Sequence, residues 1–390
     1  MPLANGFLTA LDFSKEYFFN LEAAVCPSCW MVQLVEQPEP SKMFHAAYPF
    51  ATSSSSRMQR HFNAMAEDLI QTLALNSQSF AVELGCNDGT FLRNFAQKGI
   101  PHLGIDPADD LLALAAAKGV QTRRGFFSAG LAEEISQTHG KADLISTANT
   151  LCHIDSILDI FEGFQILLKP EGTIVFEEPY LGDVLSKISY DQIYDEHVFL
   201  FSLHSLQALA ARFGFHVIGA EKQWPHGGCM RYFLSRTKRA EPHVKELLAQ
   251  EKQLGFENLR TYFNFSDKCR QSRENLTGLL GKIKKEGKRV MGYGATSKST
   301  TVINYCGLTP DLIESICDTT PAKHDKYSPG AHIPIVRHDV FKQSPPDYAL
   351  LFAWNHAEEI RQKEQAYQEA GGRWIVYVPE VQVLDESLVL

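Results

Sequence analysis

Strand-like and helix-like stretches alternate along the middle of the chain, and this alternation constrains the fold more than any other feature. The runs SFAVELG, HLGIDP, ADLISTANT and GTIVFEEP have the length and apolar character of strands, and helical patterns such as ADDLLALAAAKG separate them. Because strands joined by helices run parallel with right-handed crossovers, the pattern predicts a doubly wound α/β sheet. A second alternation, from KRVMGYG to RWIVYVP, predicts another Rossmann-like α/β domain at the C-terminus.

These patterns divide the 390 residues into four segments. Residues 1–57 are loop-rich and irregular, and residues 58–240 carry the first α/β alternation, which opens with a predicted helix. Long, charged helical patterns over 241–288 predict a connector, and residues 289–390 hold the second alternation. We therefore expect a small N-terminal domain, two α/β domains and a helical connector between them.

The net charge of −9 argues against a protein that binds nucleic acid or an anionic membrane, since both need an excess of Lys and Arg. No apolar run approaches the roughly 20 residues of a membrane-spanning helix, and the N-terminus lacks the pattern of a signal peptide. The eight cysteines are scattered, except for Cys26 and Cys29, which indicates reduced thiols rather than a disulfide framework. We expect a cytoplasmic protein, and the sequence leaves its oligomeric state open.

The stretch V-E-L-G-C-N-D-G-T-F-L, residues 82–92, follows a predicted strand and opens a predicted helix. Gly85 and Gly89 allow a tight turn and a close approach to a ligand, and Asp106 ends the next strand, where an acid can accept hydrogen bonds from a ribose. A dinucleotide site would need G-x-G-x-x-G to make room for a pyrophosphate. The spacing here places Glu83 before the first glycine and Asn87 between the two, which favours S-adenosylmethionine over NAD.

The predicted cofactor-binding residues lie in the first predicted α/β unit. They are Glu83, Gly85, Asn87, Asp88, Gly89, Asp106, Phe126 and Asn149. Phe126 or its neighbour Phe127 would flank the adenine, and a place in the core is the alternative for either ring.

The order of motifs along the whole chain resembles that of the sugar C-methyltransferases. The motifs are Cys-x-x-Cys, M-F-H-A-A-Y-P-F, E-L-G-C-N-D-G-T-F, N-T-L-C-H-I, F-E-E-P-Y-L, I-Y-D-E-H and G-Y-G-A-T-S-K. The resemblance implies an enzyme that methylates nucleotide-linked 4-keto-6-deoxy sugars at C3, with S-adenosylmethionine as the methyl donor. It also implies a zinc-binding N-terminal domain, a central methyltransferase domain and a C-terminal α/β domain, with the substrate between the last two.

Zinc is the point at which the chain departs from this family. The family's zinc module uses two Cys-x-x-Cys pairs, the first of them upstream of the P-L-A-N-x-F-L stretch with which this sequence begins. Only Cys26 and Cys29 match, and two thiolates cannot supply the four ligands of a structural zinc site. We therefore expect half of a zinc site at most, in a chain that either starts late or no longer binds the metal.

Methylation of a carbon next to a ketone requires a base, because the carbon reacts only after a proton is removed to give an enolate. The resemblance implies that His197 is this base and that Glu196 supports it. Tyr194, His153 and Tyr48 match the positions that contact the sugar and the enolate oxygen. For His153 a hydrogen-bonded place at a helix start, and for Tyr48 a place in the core, remain alternatives.

The substrate-binding prediction covers two further stretches. Glu178 and Tyr180 follow a predicted strand at the edge where α/β proteins bind ligands, although a role in a turn is equally open. In G-Y-G-A-T-S-K-S-T-T, Ser297 and Lys298 lie at a predicted helix N-terminus that could hold the diphosphate of the sugar nucleotide. His226, in W-P-H-G-G, is interpreted as structural.

Three other functions remain open from the sequence. The first is an O- or N-methyltransferase, which would not need a base beside a ketone. The second is an oxidoreductase that binds NAD at the C-terminal glycine loop, although that loop lacks a third glycine. The third is an inactive binding protein, which the complete cofactor loop argues against.

Overall fold

The computed structural model describes residues 1–43 and 51–384. In this part of the chain the strands form three sheets of three, seven and six strands. The two larger sheets are mostly parallel and are covered by helices, which confirms the predicted pair of α/β units. Within the same residues, no helix combines the length and the apolar character needed to cross a membrane.

The small N-terminal sheet contains a strand from a distant part of the chain. Its elements are β1 (Ala23–Val25), β2 (Val32–Leu34), α1 (Pro40–Met43) and β8 (Phe199–Leu200). Antiparallel pairing of β2 with both β1 and β8 places Val32 opposite Leu200. The apolar run that follows His197 is therefore the strand that ties the N-terminal sheet to the central domain.

The central sheet has seven strands. They are β3 (Ala81–Leu84), β4 (His102–Asp106), β5 (Thr122–Arg124), β6 (Ala142–Ala148), β7 (Leu168–Pro179), β9 (His216–Gln223) and β10 (Cys229–Ser235). The order is β5-β4-β3-β6-β7-β10-β9, with β10 antiparallel to both β7 and β9. The carboxyl ends of the five parallel strands share one edge, where ligands of such sheets bind.

Helices cover both faces of this sheet because the strands are apolar on both sides. Ile174, Val175 and Phe176 of β7, for example, are fully buried in succession. The helices are α2 (Ser56–Thr72), α3 (Arg93–Gln97), α4 (Asp109–Ala117), α5 (Ala129–His139), α6 (Ile157–Leu167), α7 (Leu181–Lys187) and α8 (Leu203–Ala211). Helix α2 begins after Ser55, whose side chain caps it by accepting the N–H of Met58 at 3.3 Å.

Two helices, α9 (Pro242–Gln253) and α10 (Leu259–Lys285), lead to the C-terminal sheet. That sheet and its helices contain β11 (Val290–Tyr293), α11 (Ser297–Cys306), β12 (Ile316–Asp318), β13 (Ile335–Arg337), α12 (His338–Gln343), β14 (Tyr348–Leu351), α13 (Ala357–Lys363), α14 (Gln365–Glu369), β15 (Arg373–Val376) and β16 (Gln382–Leu384). The strand order is β13-β12-β11-β14-β15-β16, and only β16 is antiparallel to its neighbour.

The buried carboxylate of Glu251 attaches helix α9 to the central domain by hydrogen bonds. Glu251 accepts the backbone N–H groups of Leu203 and His204 at 2.7 and 2.8 Å, and thereby caps helix α8. The hydroxyl of Tyr180 donates to the same carboxylate at 2.9 Å. Glu251 is 1% exposed, so these contacts are shielded from solvent.

Replacing Glu251 with Ala should lower the free energy of unfolding by about 2–3 kcal/mol, because buried donors are left without an acceptor. Chemical denaturation measures this change. Glu246→Ala removes an exposed carboxylate from the same helix and should have no comparable effect. Equal stability of the two variants would show that the Glu251 contacts contribute nothing.

Candidate functional site

The glycine loop of residues 85–89 follows β3 and is held against the end of β4. The carboxylate of Asp106 accepts the N–H of Asn87 and the N–H of Ala108, both at 2.9 Å. Gly85 donates its N–H to the carbonyl of Ile105 at 2.8 Å. The loop and the acid after the next strand therefore form one hydrogen-bonded unit at the carboxyl edge of the sheet.

Two of the loop's residues have backbone conformations that side chains disfavour. Gly85 has φ of +67°, and a Cβ atom on it would lie 2.2 Å from the hydroxyl oxygen of Thr150. Gly89 has φ of +73°, and a Cβ atom there would lie 2.9 Å from that of Ala115. Both glycines are thus required by the protein's own packing, before any ligand is considered.

Asp88 is fully buried and anchors the loop to its surroundings. It accepts the N–H of Ser53 at 3.0 Å and the hydroxyl of Thr90 at 2.6 Å, and it pairs with Lys118 at 3.1 Å. Burial disfavours the charged form of Asp88, but the hydrogen bonds to its carboxylate have the larger combined effect and hold the pKa of Asp88 below its usual value. Its two oxygens serve loop structure, which is a different use from the predicted contact with the cofactor.

A small cavity opens beside the loop, and Glu83 lies in its wall. The lining residues are Thr52, Phe62, Glu83, Gly85, Cys86, Asn87, Thr90, Phe91 and Ala148. Glu83 is 6% exposed, and among the described atoms its Oε2 has no hydrogen-bond partner. Burial, reinforced by the nearby Asp106 and Asp88 carboxylates, raises its pKa well above the usual value, so a cationic ligand would be well placed to restore the charge.

The segment of residues 191–197 lies where three parts of the chain meet. Its Asp195 accepts the N–H of Ala4 at 2.8 Å, and its Glu196 accepts the side-chain amide of Asn5 at 2.6 Å. Thr301 of helix α11 donates to the carbonyl of Ile193 at 3.1 Å. The N-terminal residues and the C-terminal domain thus both fix the segment, and burial raises the pKa of Asp195 to about 6.

The imidazole of His197 is 2% exposed and is held through both nitrogens. Its Nδ1–H donates to the carbonyl of Gln192 at 2.7 Å, which leaves Nε2 as an acceptor for the hydroxyl of Tyr194, also at 2.7 Å. The sequence predicted that Glu196 orients this ring, whereas the backbone carbonyl of Gln192 is the group hydrogen-bonded to Nδ1. Burial, reinforced by His153, His226 and Lys298, lowers the pKa of His197 well below its usual value.

His153 stacks on His197, with ring centroids 5.5 Å apart and planes at 18°. It lies in the short 3₁₀ turn Leu151–His153, whose first N–H groups are capped by Glu178. The Oε1 atom of Glu178 accepts the N–H of Thr150 at 3.1 Å and that of Leu151 at 2.7 Å. Burial lowers the pKa of His153 to about 4 and raises that of Glu178 to about 7.

Helix α11 directs Lys298 toward these histidines. The Nζ atom of Lys298 lies 3.4 Å from Nδ1 of His226, and the side chain is buried. The diphosphate role predicted for Lys298 fits this direction poorly, because the ammonium faces the histidines instead of the surface. Burial lowers the pKa of Lys298, and the carboxylate of Asp191 works in the opposite direction.

Asp191 connects the same segment to the C-terminal domain. Its Oδ2 atom accepts the indole N–H of Trp354 at 2.6 Å and the hydroxyl of Tyr377 at 2.7 Å. Its Oδ1 atom and the side-chain oxygen of Gln192 are buried without a hydrogen-bond partner in the described part of the chain. Such atoms are positioned to accept hydrogen bonds from a polar ligand.

The remaining predicted residues differ in how well they are placed. Tyr180 is 5% exposed and its hydroxyl is bound to Glu251, so packing, not substrate, uses this side chain. Phe126, in contrast, is 57% exposed just after β5, near Asp106. Asn149, with φ of +50°, follows β6 at the same edge.

Ser297 begins helix α11 and donates to the side chain of Asn5 at 3.1 Å. Tyr48 lies among residues 44–50, outside the described part of the chain. Backbone N–H groups of Cys29 and Ser28 lower the pKa of the Cys26 thiol. In the described ranges, no third potential ligand joins Cys26 and Cys29.

Comparison with known proteins assigns the chain to a family. The C-methyltransferase NovU of Streptomyces niveus is 34% identical over 393 aligned residues, which cover 100% of this chain and 93% of that protein. A methyltransferase-domain family matches residues 57–220, and the C-methyltransferase C-terminal domain matches residues 224–379. A third family, whose description names a zinc-binding domain, matches residues 1–44.

The chain belongs to the C-methyltransferase family. It is a methyltransferase that uses S-adenosylmethionine. Solved structures match about half of it: a Pyrococcus horikoshii protein at 14% identity and a TM-score of 0.39, over 51% of this chain and 99% of that one. Magnesium protoporphyrin IX methyltransferase from Synechocystis matches at 12% identity and a TM-score of 0.36, over 46% of this chain and 79% of that one. Because these scores are low, the assignment rests on the sequence matches.

The residues around the glycine loop have the chemistry that this cofactor needs. The methionyl end of S-adenosylmethionine carries an ammonium group, which the unpartnered Oε2 atom of Glu83 would accept. Asp106 keeps lone pairs for ribose hydroxyls beyond its two backbone contacts, and Phe126 offers an exposed ring. When bound, the cofactor supplies a methyl group activated by a sulfonium.

Three groups that lie beside the site were not predicted as site residues. Nothing in the sequence indicates the contacts of Asp191 with Trp354 and Tyr377. The carbonyl of Gln192 was missed because backbone acceptors leave no trace in residue types. His226 was interpreted as structural, although a non-glycine residue between a proline and two glycines is a signal of an unusual turn, and its φ is +55°.

His153 should make stability depend on pH. The pKa of His153 in the folded protein, about 4, lies below the ordinary value of 6.5. Between these two pH values the imidazole binds a proton in the unfolded chain but not in the folded one. The stabilising difference is present above pH 6.5 and shrinks as the pH falls, by up to about 1.4 kcal/mol per unit. The free energy of unfolding of wild type minus that of His153→Gln should therefore decline from pH 6.5 to 4.5. Parallel curves for the two proteins would contradict a depressed pKa.

Proposed function

We propose that this C-methyltransferase transfers the methyl group to C3 of a nucleotide-linked 4-keto-6-deoxy sugar, by way of an enolate. The observation that carries the proposal is the buried His197, whose Nε2 lone pair faces the hydroxyl of Tyr194 at 2.7 Å. Proton removal from a carbon beside a ketone needs a positioned base of this kind. The order of sugar C-methyltransferase motifs along the chain supports the same substrate class.

The proton would leave C3 through Tyr194. As the phenolic oxygen takes the proton from carbon, the phenolic hydrogen passes to Nε2 of His197, and the C–H electron pair forms the enolate. The low pKa of His197 keeps the ring neutral, so its lone pair is available at neutral pH. Glu196, next in the chain and 3% exposed, would stabilise the resulting imidazolium.

Methyl transfer then needs positioning more than further chemistry. The enolate carbon attacks the methyl group, the carbon–sulfur bond breaks, and the ketone is restored. Polar atoms of the segment 191–197, with Asp191 and Gln192 each offering an unpartnered buried oxygen, are suited to hydroxyl groups of a sugar.

An NAD-dependent oxidoreductase is less well supported. The first turns of α11, which a dinucleotide would approach, already hold the N-terminal residues. Ser297 donates to Asn5, and Thr300 donates to the carbonyl of Ala4 at 2.8 Å.

Replacing Glu83 with Gln should weaken S-adenosylmethionine binding about 10–100-fold, because a charge-assisted hydrogen bond is lost. Titration calorimetry measures the dissociation constant. Glu67→Gln changes an exposed carboxylate on α2 and should bind normally. Normal binding by Glu83→Gln would show that the ammonium lies elsewhere.

Replacing His197 with Asn should abolish turnover while leaving cofactor affinity unchanged. The assay incubates the protein with S-adenosylmethionine and a panel of nucleotide-linked 4-keto-6-deoxy sugars, and mass spectrometry looks for a gain of one methyl group. Loss of activity with intact cofactor binding separates a chemical role from misfolding. Normal turnover by the variant would refute the base assignment, and no product with any sugar for wild type would favour O-methylation.

A further inference from the structure

His226 has a strained backbone conformation, and packing alone does not explain why it is there. Its φ of +55° is left-handed, which costs a residue with a side chain about 1–3 kcal/mol. The side chain of Gln192 donates to its carbonyl, and Gly227 leaves no room beyond it, since a Cβ atom there would lie 2.2 Å from the ring of Trp354. The C-terminal domain and the segment 191–197 therefore fix this turn from both sides.

The contact with Lys298 determines which nitrogen of His226 carries hydrogen. A lysine ammonium can only donate, so Nδ1 of His226, 3.4 Å away, is the acceptor. Burial keeps the ring neutral by lowering its pKa well below the usual value. The neutral ring must then carry its hydrogen on Nε2, which binds no other group in residues 1–43 and 51–384.

His197 has the opposite arrangement. It presents a lone pair on Nε2, because its Nδ1 hydrogen is used by the carbonyl of Gln192. The two rings are 6.5 Å apart and nearly perpendicular, at 68°. His197 can accept a proton, and His226 can donate a hydrogen bond. Enolisation of a ketone requires both functions, a base at the neighbouring carbon and a donor at the carbonyl oxygen.

We propose that His226 is a catalytic residue that donates from Nε2 to the sugar's ketone oxygen, and that Lys298 is the positioning residue that makes it a donor. This inference rests on the proposed function. As the C3 proton leaves, the ketone oxygen gains negative charge, and a neutral imidazole backed by a cation stabilises it more than water does. When the new carbon–carbon bond forms, the electron pair returns from oxygen and the hydrogen bond weakens again.

This assignment gives Lys298 a role different from diphosphate binding, and the two roles have different kinetic signatures. A diphosphate contact would strengthen substrate binding and change KM. A cation behind His226 would leave KM unchanged and lower the rate at saturating substrate, because it acts only as charge develops.

The test follows deuterium exchange at C3 in heavy water, without S-adenosylmethionine, for a dTDP- or UDP-linked 4-keto-6-deoxy sugar that wild type accepts. His226→Ala should slow exchange about 10²–10³-fold, as loss of one oxyanion donor does. Lys298→Met should slow it at least tenfold at saturating sugar, with unchanged affinity for dTDP or UDP. The double variant should be no slower than His226→Ala, because Lys298 acts through His226.

Lys282→Met, an exposed lysine at the end of α10, is the matched control and should exchange at the wild-type rate. Unchanged calorimetric affinity of each variant for S-adenosylmethionine shows that the fold is intact. Wild-type exchange by His226→Ala, or a weakened nucleotide affinity without a rate effect in Lys298→Met, would overturn the inference. Absence of exchange in wild type with every sugar would instead refute the proposed function itself.

Discussion

The burial of the segment 191–197 between three parts of the chain is the constraint on which the rest of the structure depends. Asp195 and Glu196 accept hydrogen bonds from the N-terminal residues Ala4 and Asn5, and Asp191 accepts them from Trp354 of the C-terminal domain. The strand that follows joins the N-terminal sheet. The segment is therefore positioned only when all three parts have assembled around it.

The same burial determines the protonation of the site. Removing the histidines from water disfavours their charged forms, and the nearby Lys298 disfavours them further in His197 and His226. Neutral imidazoles differ by which nitrogen carries hydrogen, and the partners here impose opposite choices: a carbonyl for His197 and a lysine for His226. A neutral cluster can thus contain both a base and a hydrogen-bond donor.

The sequence predicted those parts of the fold that depend on local periodicity. The parallel strands β3, β4 and β6 end their apolar runs as expected, and the glycine loop and Asp106 come together. The antiparallel strands β9 and β10 were not predicted from the sequence. The joining of β8 to the N-terminal sheet was also not predicted, since pairing between strands separated by the 164 residues from 35 to 198 has no local signal.

Within the site, which residues come together was predicted better than the direction of their side chains. His197, Tyr194 and His153 do come together, as the family resemblance implied. Tyr180 and Lys298 were predicted to contact the substrate. In the structure, the hydroxyl of Tyr180 donates to Glu251, and the ammonium of Lys298 faces His226. The direction of a side chain depends on partners far away in the sequence. The type of a residue does not show which buried group its side chain will contact.

The most direct test of this account is the tautomeric state of the two histidines, measured by nitrogen NMR of protein with labelled histidine, with His197→Asn and His226→Ala used to assign the signals. At neutral pH we expect His197 to be neutral with hydrogen on Nδ1, and His226 to be neutral with hydrogen on Nε2. A charged ring at either position, or the same tautomer at both, would contradict the account.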